Sequence, residues 1–155
     1  MRYTIECAQV GMWRNVSSAC CTCSANCCIC APRSTIVIFL AGSSLEGILL
    51  GIASNFPKAF NMARTAPQKD GKPKIFPEWS LANLIDTAHE LGILKEDVRK
   101  FSHALRDFRN YIHPLQQVGS GFHPDEHTAK ICWHVLKAAI FQMSTNLPSL
   151  NTKLN

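Results

Sequence analysis

The chain has 155 residues, enough for one domain with a buried core. Its 46% hydrophobic content excludes a chain that is disordered throughout. A net charge of +5, from 16 basic and 11 acidic residues, falls short of the footprint of a dedicated DNA binder and is compatible with a phosphate-bearing partner.

Residues 1–33 hold seven of the eight cysteines and show neither a helical nor an alternating apolar pattern. No cysteine occurs between Cys30 and Cys132, so these thiols are not a disulfide framework spread over a fold. Cys21, Cys23, Cys28 and Cys30 have spacings at which thiolates bind zinc or copper(I), but adjacent cysteines without a surrounding fold are unlike a zinc finger. No metal or other cofactor is therefore expected, and the segment reads as disordered or as translated sequence ahead of the true start. Met1 and Arg2 are followed by mixed polar residues with no apolar run, which predicts no secretory signal and a reducing cytoplasm.

The stretch from Ser34 to Ala53 has the length of a membrane span. Glu46, Ser43, Ser44 and three glycines lie within it, and a carboxylate at bilayer depth costs about 2.5–3.5 kcal/mol on insertion scales. A buried central helix from Thr35 to about Ser54 is the expectation, with Ser34 as its N-cap and a membrane-associated helix as the remote alternative. Pro57 suits the first turn of a short second helix reaching about Arg64. Pro67, Gly71, Pro73 and Pro77 make the next stretch a loop, in which Lys69, Lys72 and Lys74 read as a solvated charge run.

Ser80 caps a third helix with an apolar stripe of Leu81, Leu84, Ile85, Ala88 and Leu91, closed by Gly92. A fourth runs from about Lys95 to His113, with Val98, Phe101, Leu105, Phe108 and Ile112 as its seam and Pro114 as its stop. The glycines at 119 and 121 mark a loop. The last helix starts near Pro124, with Asp125 and Glu126 favouring its N-terminal dipole. Its expected buried side is Ala129, Cys132, Trp133, Leu136, Ala139, Ile140 and Met143, followed by a loose tail over 144–155. Trp13, Trp79 and Trp133 read as packing residues. His123 and His127 have helical spacing but lack the glutamate of a zinc-protease motif, and His103 and His134 stand apart. The pattern predicts an all-α, up-and-down bundle of four to five helices over 34–143.

One constellation carries chemistry. Relative to Arg106, Arg109 is at +3, Asn110 at +4 and His113 at +7, which puts all four on one side of the fourth helix. Their arc of roughly 100° lies beside the apolar seam, with Arg109 nearest to it and Asn110 furthest. Two guanidinium groups can hold a phosphodiester through forked hydrogen bonds, and an imidazole beside them can exchange a proton near neutral pH. Asn110 can orient the imidazole or the substrate. The same residues also suit a structural role, with the arginines paired to carboxylates of neighbouring helices. Glu46, a carboxylate in the most apolar helix, either pairs with Arg106 or Arg109 or faces water at the bundle end.

The string LRDFRNYIHP (Leu105–Pro114), with its Arg-x6-His spacing, and AGSSLEGILL (Ala41–Leu50) resemble segments of the HEPN superfamily, over roughly 34–143. The resemblance implies a helical bundle that forms a homodimer with facing motifs and cleaves RNA without metal, using the ribose 2′-hydroxyl as nucleophile. It assigns His113 as general acid or base and Arg106 as the stabiliser of phosphate charge, with Arg109 and Asn110 in support. Asp107 supplies the polar residue that often follows the motif arginine. A frame starting at Arg109 leaves only three residues before His113, so either arginine can be the motif residue. The implied setting is a toxin–antitoxin or defence system, with RNA and an antitoxin or nucleotidyltransferase as partners. A non-catalytic dimerisation module on the same scaffold is the alternative.

Overall fold

The computed structural model of the protein describes residues 33–111 and 124–154, the last five of them by backbone alone. The cysteine-rich segment with Cys21, Cys23, Cys28 and Cys30, and the stretch carrying Ile112, His113, Gly119, Gly121 and His123, lie outside the described residues. The chain divides between Ala31 and Pro32 into two units, and the elements that follow belong to the second.

The described residues form an all-α bundle. Its helices are α1 (Arg33–Asn55), α2 (Pro57–Met62), α3 (Leu81–Glu90), α4 (Glu96–Tyr111) and α5 (Glu126–Leu154). Between α2 and α3 lie an antiparallel pair of two-residue strands, β1 (Gln68–Lys69) and β2 (Lys72–Pro73), and a 3-10 turn at Phe76–Glu78.

α1 runs through the middle and packs against α3, α4 and α5. Ile38, Ala41, Leu45, Leu49 and Ile52 recur at helical spacing on its buried face. Burying each of these Leu and Ile side chains stabilises the bundle by about 1.5–3 kcal/mol. Ser34 lies inside the helix rather than at its cap. Among the described residues α1 alone is long and apolar enough to cross a membrane, and its inner face forms the core.

α2 places Phe60 in the core against Phe76 and Trp79, and the Trp79 indole N–H donates to the Lys74 carbonyl at 2.8 Å. The strand pair turns at Asp70 and Gly71, with φ of +52° and +75°, as a two-residue hairpin turn requires. α3 starts with a capping box. The Asn83 N–H donates to Ser80 Oγ, and the Ser80 N–H donates to Asn83 Oδ1. It ends at Gly92, with Ile93 N–H bonded to the Ala88 carbonyl and Gly92 N–H to that of His89.

The burial of α4 and the length and burial of α5 also differ from expectation. α4 buries Val98, Ser102 and Leu105, whereas Phe101 is 57% exposed. The helix is rotated so that small Ser102, rather than Phe101, faces its neighbours. Ser102 Oγ has no hydrogen-bond partner among the described residues. A buried unpaired hydroxyl costs stability, so Ser102→Ala is expected to leave the domain unchanged or more stable by about 1 kcal/mol in urea denaturation.

α5 continues through Leu154, so the tail expected to be loose after Met143 is helical, with Pro148 inside it. Its extension is tied to the turn between α3 and α4. The Lys95 N–H donates to Gln142 Oε1 at 2.8 Å, and Asn146 Nδ2 donates to the Ile93 carbonyl at 3.0 Å. Asp125 caps α5 by accepting from the Thr128 N–H at 2.7 Å. Its buried side is Ala129, Cys132, Val135, Leu136, Ala139 and Met143, and Trp133 and Ile140 stand exposed instead of packing.

Candidate functional site

α4 presents two adjacent faces. Val98, Ser102, Leu105 and Arg109 follow one another at spacings of four, three and four along the inner face. Arg99, His103, Arg106 and Asn110 repeat the same spacings, rotated by about 100° toward the surface, because consecutive residues differ by that angle.

The two motif arginines have different surroundings. The stem of Arg109 lies against Gly42 of α1 so closely that a Cβ added there would sit 2.8 Å from Arg109 Cδ. Its guanidinium then reaches Glu46 Oε2 at 2.8 Å. This is one of the two pairings expected for Glu46, and it joins α1 to α4. Arg106 instead bonds to Asp107, its own neighbour on the helix, with Nε at 3.0 Å from Oδ1. Asp107 is 52% exposed, and the Arg106 side chain, 29% exposed, reaches it along the helix surface. An exposed pair of this kind contributes at most about 1 kcal/mol, so a phosphate can displace it. Asn110 is exposed one turn further on. The structure therefore groups Arg106, Asp107 and Asn110 along α4 and ties Arg109 across to Glu46 of α1, with the two arginine side chains covered to nearly the same extent, while His113 lies outside the described residues.

Sequence reasoning missed a second polar group, where α3 meets α4. Asp86 Oδ1 accepts from Arg99 Nε at 2.8 Å and lies 2.9 Å from His103 Nε2. Arg99 also donates to Glu96, which lies 3.2 Å from His89 Nε2. Burial pushes the Asp86 carboxyl up, but the hydrogen bonds from Arg99 and His103 together outweigh it and hold the group below its ordinary value. The spacing of Arg99 and His103 from Arg106 was visible in the chain. Their partner Asp86 was not, since it comes from another helix.

Next to this group is a cleft of about 670 Å³ lined by Arg64, Thr65, Asp86, His89, Glu90 and Arg99. Glu90 closes one side by accepting from the backbone N–H groups of Arg64 and Thr65, both at 2.9 Å. The Arg64 N–H foremost, and those of Thr65 against the opposing effect of burial, hold the Glu90 carboxyl down at about 2. Because the folded value is depressed, this stabilisation is complete above the unfolded value of about 4.3 and is lost as pH falls toward 2. Urea midpoints measured down that range are expected to fall, and Glu90→Gln is expected to flatten the Glu90 part of the decline.

A second cleft, of about 470 Å³, is mostly apolar and lies between α1 and α5, with Val37, Leu40, Ala41, Ala129 and Trp133 among its lining residues and Arg33, Glu126 and Lys130 as the charged ones. Among the described residues no group of three His, Cys, Asp or Glu side chains is arranged to hold a metal ion. No protein-family model, curated protein or solved structure matches this chain.

Proposed function

We propose that this chain is a HEPN-like, metal-independent endoribonuclease of a toxin–antitoxin or defence system, working in the cytoplasm. The observation that carries the reading is the division of labour between the arginines. Glu46 of α1 ties Arg109 across two helices, whereas among the described residues Arg106 pairs with its own exposed neighbour Asp107 and shares a face with Asn110. A guanidinium so placed can exchange Asp107 for a phosphodiester and stabilise charge as the 2′-oxygen attacks phosphorus. His113, which follows Arg106 by seven residues, is the proton-exchanging group that the resemblance assigns. The bond to the 5′-oxygen breaks, leaving a 2′,3′-cyclic phosphate.

A second reading, a non-catalytic dimerisation module, is favoured by the outer faces of α1 and α5. Ile36, Val37, Leu40 and Ile48 on α1 and Trp133 and Ile140 on α5 are exposed. Large apolar side chains clustered at a surface mark an interaction site. A homodimer is common to both readings, and sedimentation velocity checks it.

The test is incubation of RNA with the purified full chain in EDTA. Cleavage that leaves cyclic phosphate ends, and is absent when the substrate is 2′-deoxy or the enzyme is His113→Ala, supports the ribonuclease. A folded dimer that cleaves nothing supports the interaction module.

A further inference from the structure

We propose that His103, oriented by Asp86, is a further acid–base residue of the α4 face and acts on the phosphodiester held by Arg106; this rests on the ribonuclease reading above. Three observations lead to it. First, His103 is the described histidine closest along α4 to Arg106, three residues before it. At that spacing helix side chains are neighbours, with Cβ atoms about 5–6 Å apart. Second, the imidazole is held in place: Nε2 lies 2.9 Å from Asp86 Oδ1, and the same oxygen is fixed by Arg99 Nε at 2.8 Å. A carboxylate that accepts from one ring nitrogen sets the tautomer and leaves the other as the proton acceptor. No described residue bonds to Nδ1. Third, the His103 side chain is 24% exposed, so it is open in part to solvent.

The charged groups near the ring are Asp86 from α3 with its partner Arg99 and, further along its own helix, the paired Arg106 and Asp107, three and four residues on. In the step proposed, the 2′-hydroxyl proton passes to His103 Nδ1 as the 2′-oxygen bonds to phosphorus. The bond from phosphorus to the 5′-oxygen breaks, and that oxygen takes a proton from water. The imidazolium then returns its proton to solvent. Arg99, neutralised by Asp86 and Glu96, buttresses the dyad and does not bind phosphate.

The test is single-turnover cleavage of an RNA oligonucleotide in EDTA by the full chain between pH 5 and 9. His103→Gln keeps an N–H for Asp86 and is expected to slow cleavage about 100-fold or more, the usual contribution of a positioned acid–base group. Asp86→Ala removes the acceptor that orients the ring and is expected to slow cleavage by up to about 100-fold, with binding of the 2′-deoxy oligonucleotide unchanged. A purely structural pair would change stability and leave the cleavage rate of the folded variant in place. Should either variant fail to fold, the His103 ring resonances of the parent are followed on adding the 2′-deoxy oligonucleotide. A shift at saturation supports the assignment, and unmoved ring signals overturn it. His103→Gln cleaving at the parent rate overturns this inference alone, whereas a parent that cleaves no RNA overturns the ribonuclease reading as well.

Discussion

Arg109→Ala is expected to destabilise the domain by about 2 kcal/mol in equilibrium urea denaturation, whereas Arg106→Ala is expected to cost about 1 kcal/mol or less. The contrast follows from what each side chain touches. Arg109 covers Gly42 with its methylenes and reaches across to Glu46, so truncation removes packing between α1 and α4 and strands a half-buried carboxylate. Truncating Arg106 breaks a bond to exposed Asp107 on the same helix and strands no carboxylate of another one. Gly42→Ala reports on the same contact. The new methyl would lie 3.0 Å from Arg109 Cβ as well as 2.8 Å from its Cδ, so the whole side chain must shift and the bond to Glu46 is disturbed. Equal losses for both arginines would place Arg106 among the structural residues.

The largest loss of stability is expected from Phe60→Ala, about 3–5 kcal/mol, the range found when buried phenylalanines are truncated. Phe60 is fully buried and meets Phe76 edge-on at 6.4 Å and Trp79 at 6.3 Å, and the latter two rings contact each other at 5.2 Å. This aromatic group fastens the segment between α2 and α3 to the bundle. Its loss leaves a cavity that the short α2 and the 3-10 turn must collapse into. Phe60→Leu, which keeps most of the volume, is expected to cost less than half as much, and urea denaturation of the two variants checks the ratio.

Features written locally were legible in the sequence. α3 is bounded as expected because Ser80 and Gly92 act through their own backbone neighbours. Glu46 was readable for a different reason: a carboxylate in an apolar helix needs a partner, and arginines near a seam were the available ones. The Asp70–Gly71 turn was also present as a dipeptide, but its flanking residues are lysines, glutamine and proline rather than alternating apolar ones, so it read as loop.

What was not legible depends on packing between helices. Hydrophobicity assigns Phe101 to the seam of α4, yet the small Ser102 faces inward and Phe101 outward, on the same inner face along which Arg109 lies against Gly42. Trp133 and Ile140 were placed inside by the same rule and lie on the surface. The polar sequence after Met143, with its proline, read as a tail. Gln142 and Asn146 make it a helix by satisfying backbone groups of the α3–α4 turn, an arrangement set by tertiary structure. The Asp86–His103 pair is of the same kind, seventeen residues apart on different helices.

The most direct test of the account is the rate at which the full chain and its Arg106→Ala variant cleave RNA in single turnovers with EDTA present. The account predicts that the parent cleaves to cyclic phosphate ends and that the equally folded variant is slower by about 100-fold or more, as when one preorganised charge-stabilising group is removed. A folded parent that releases no product, or a variant that cleaves at the parent rate, would contradict it.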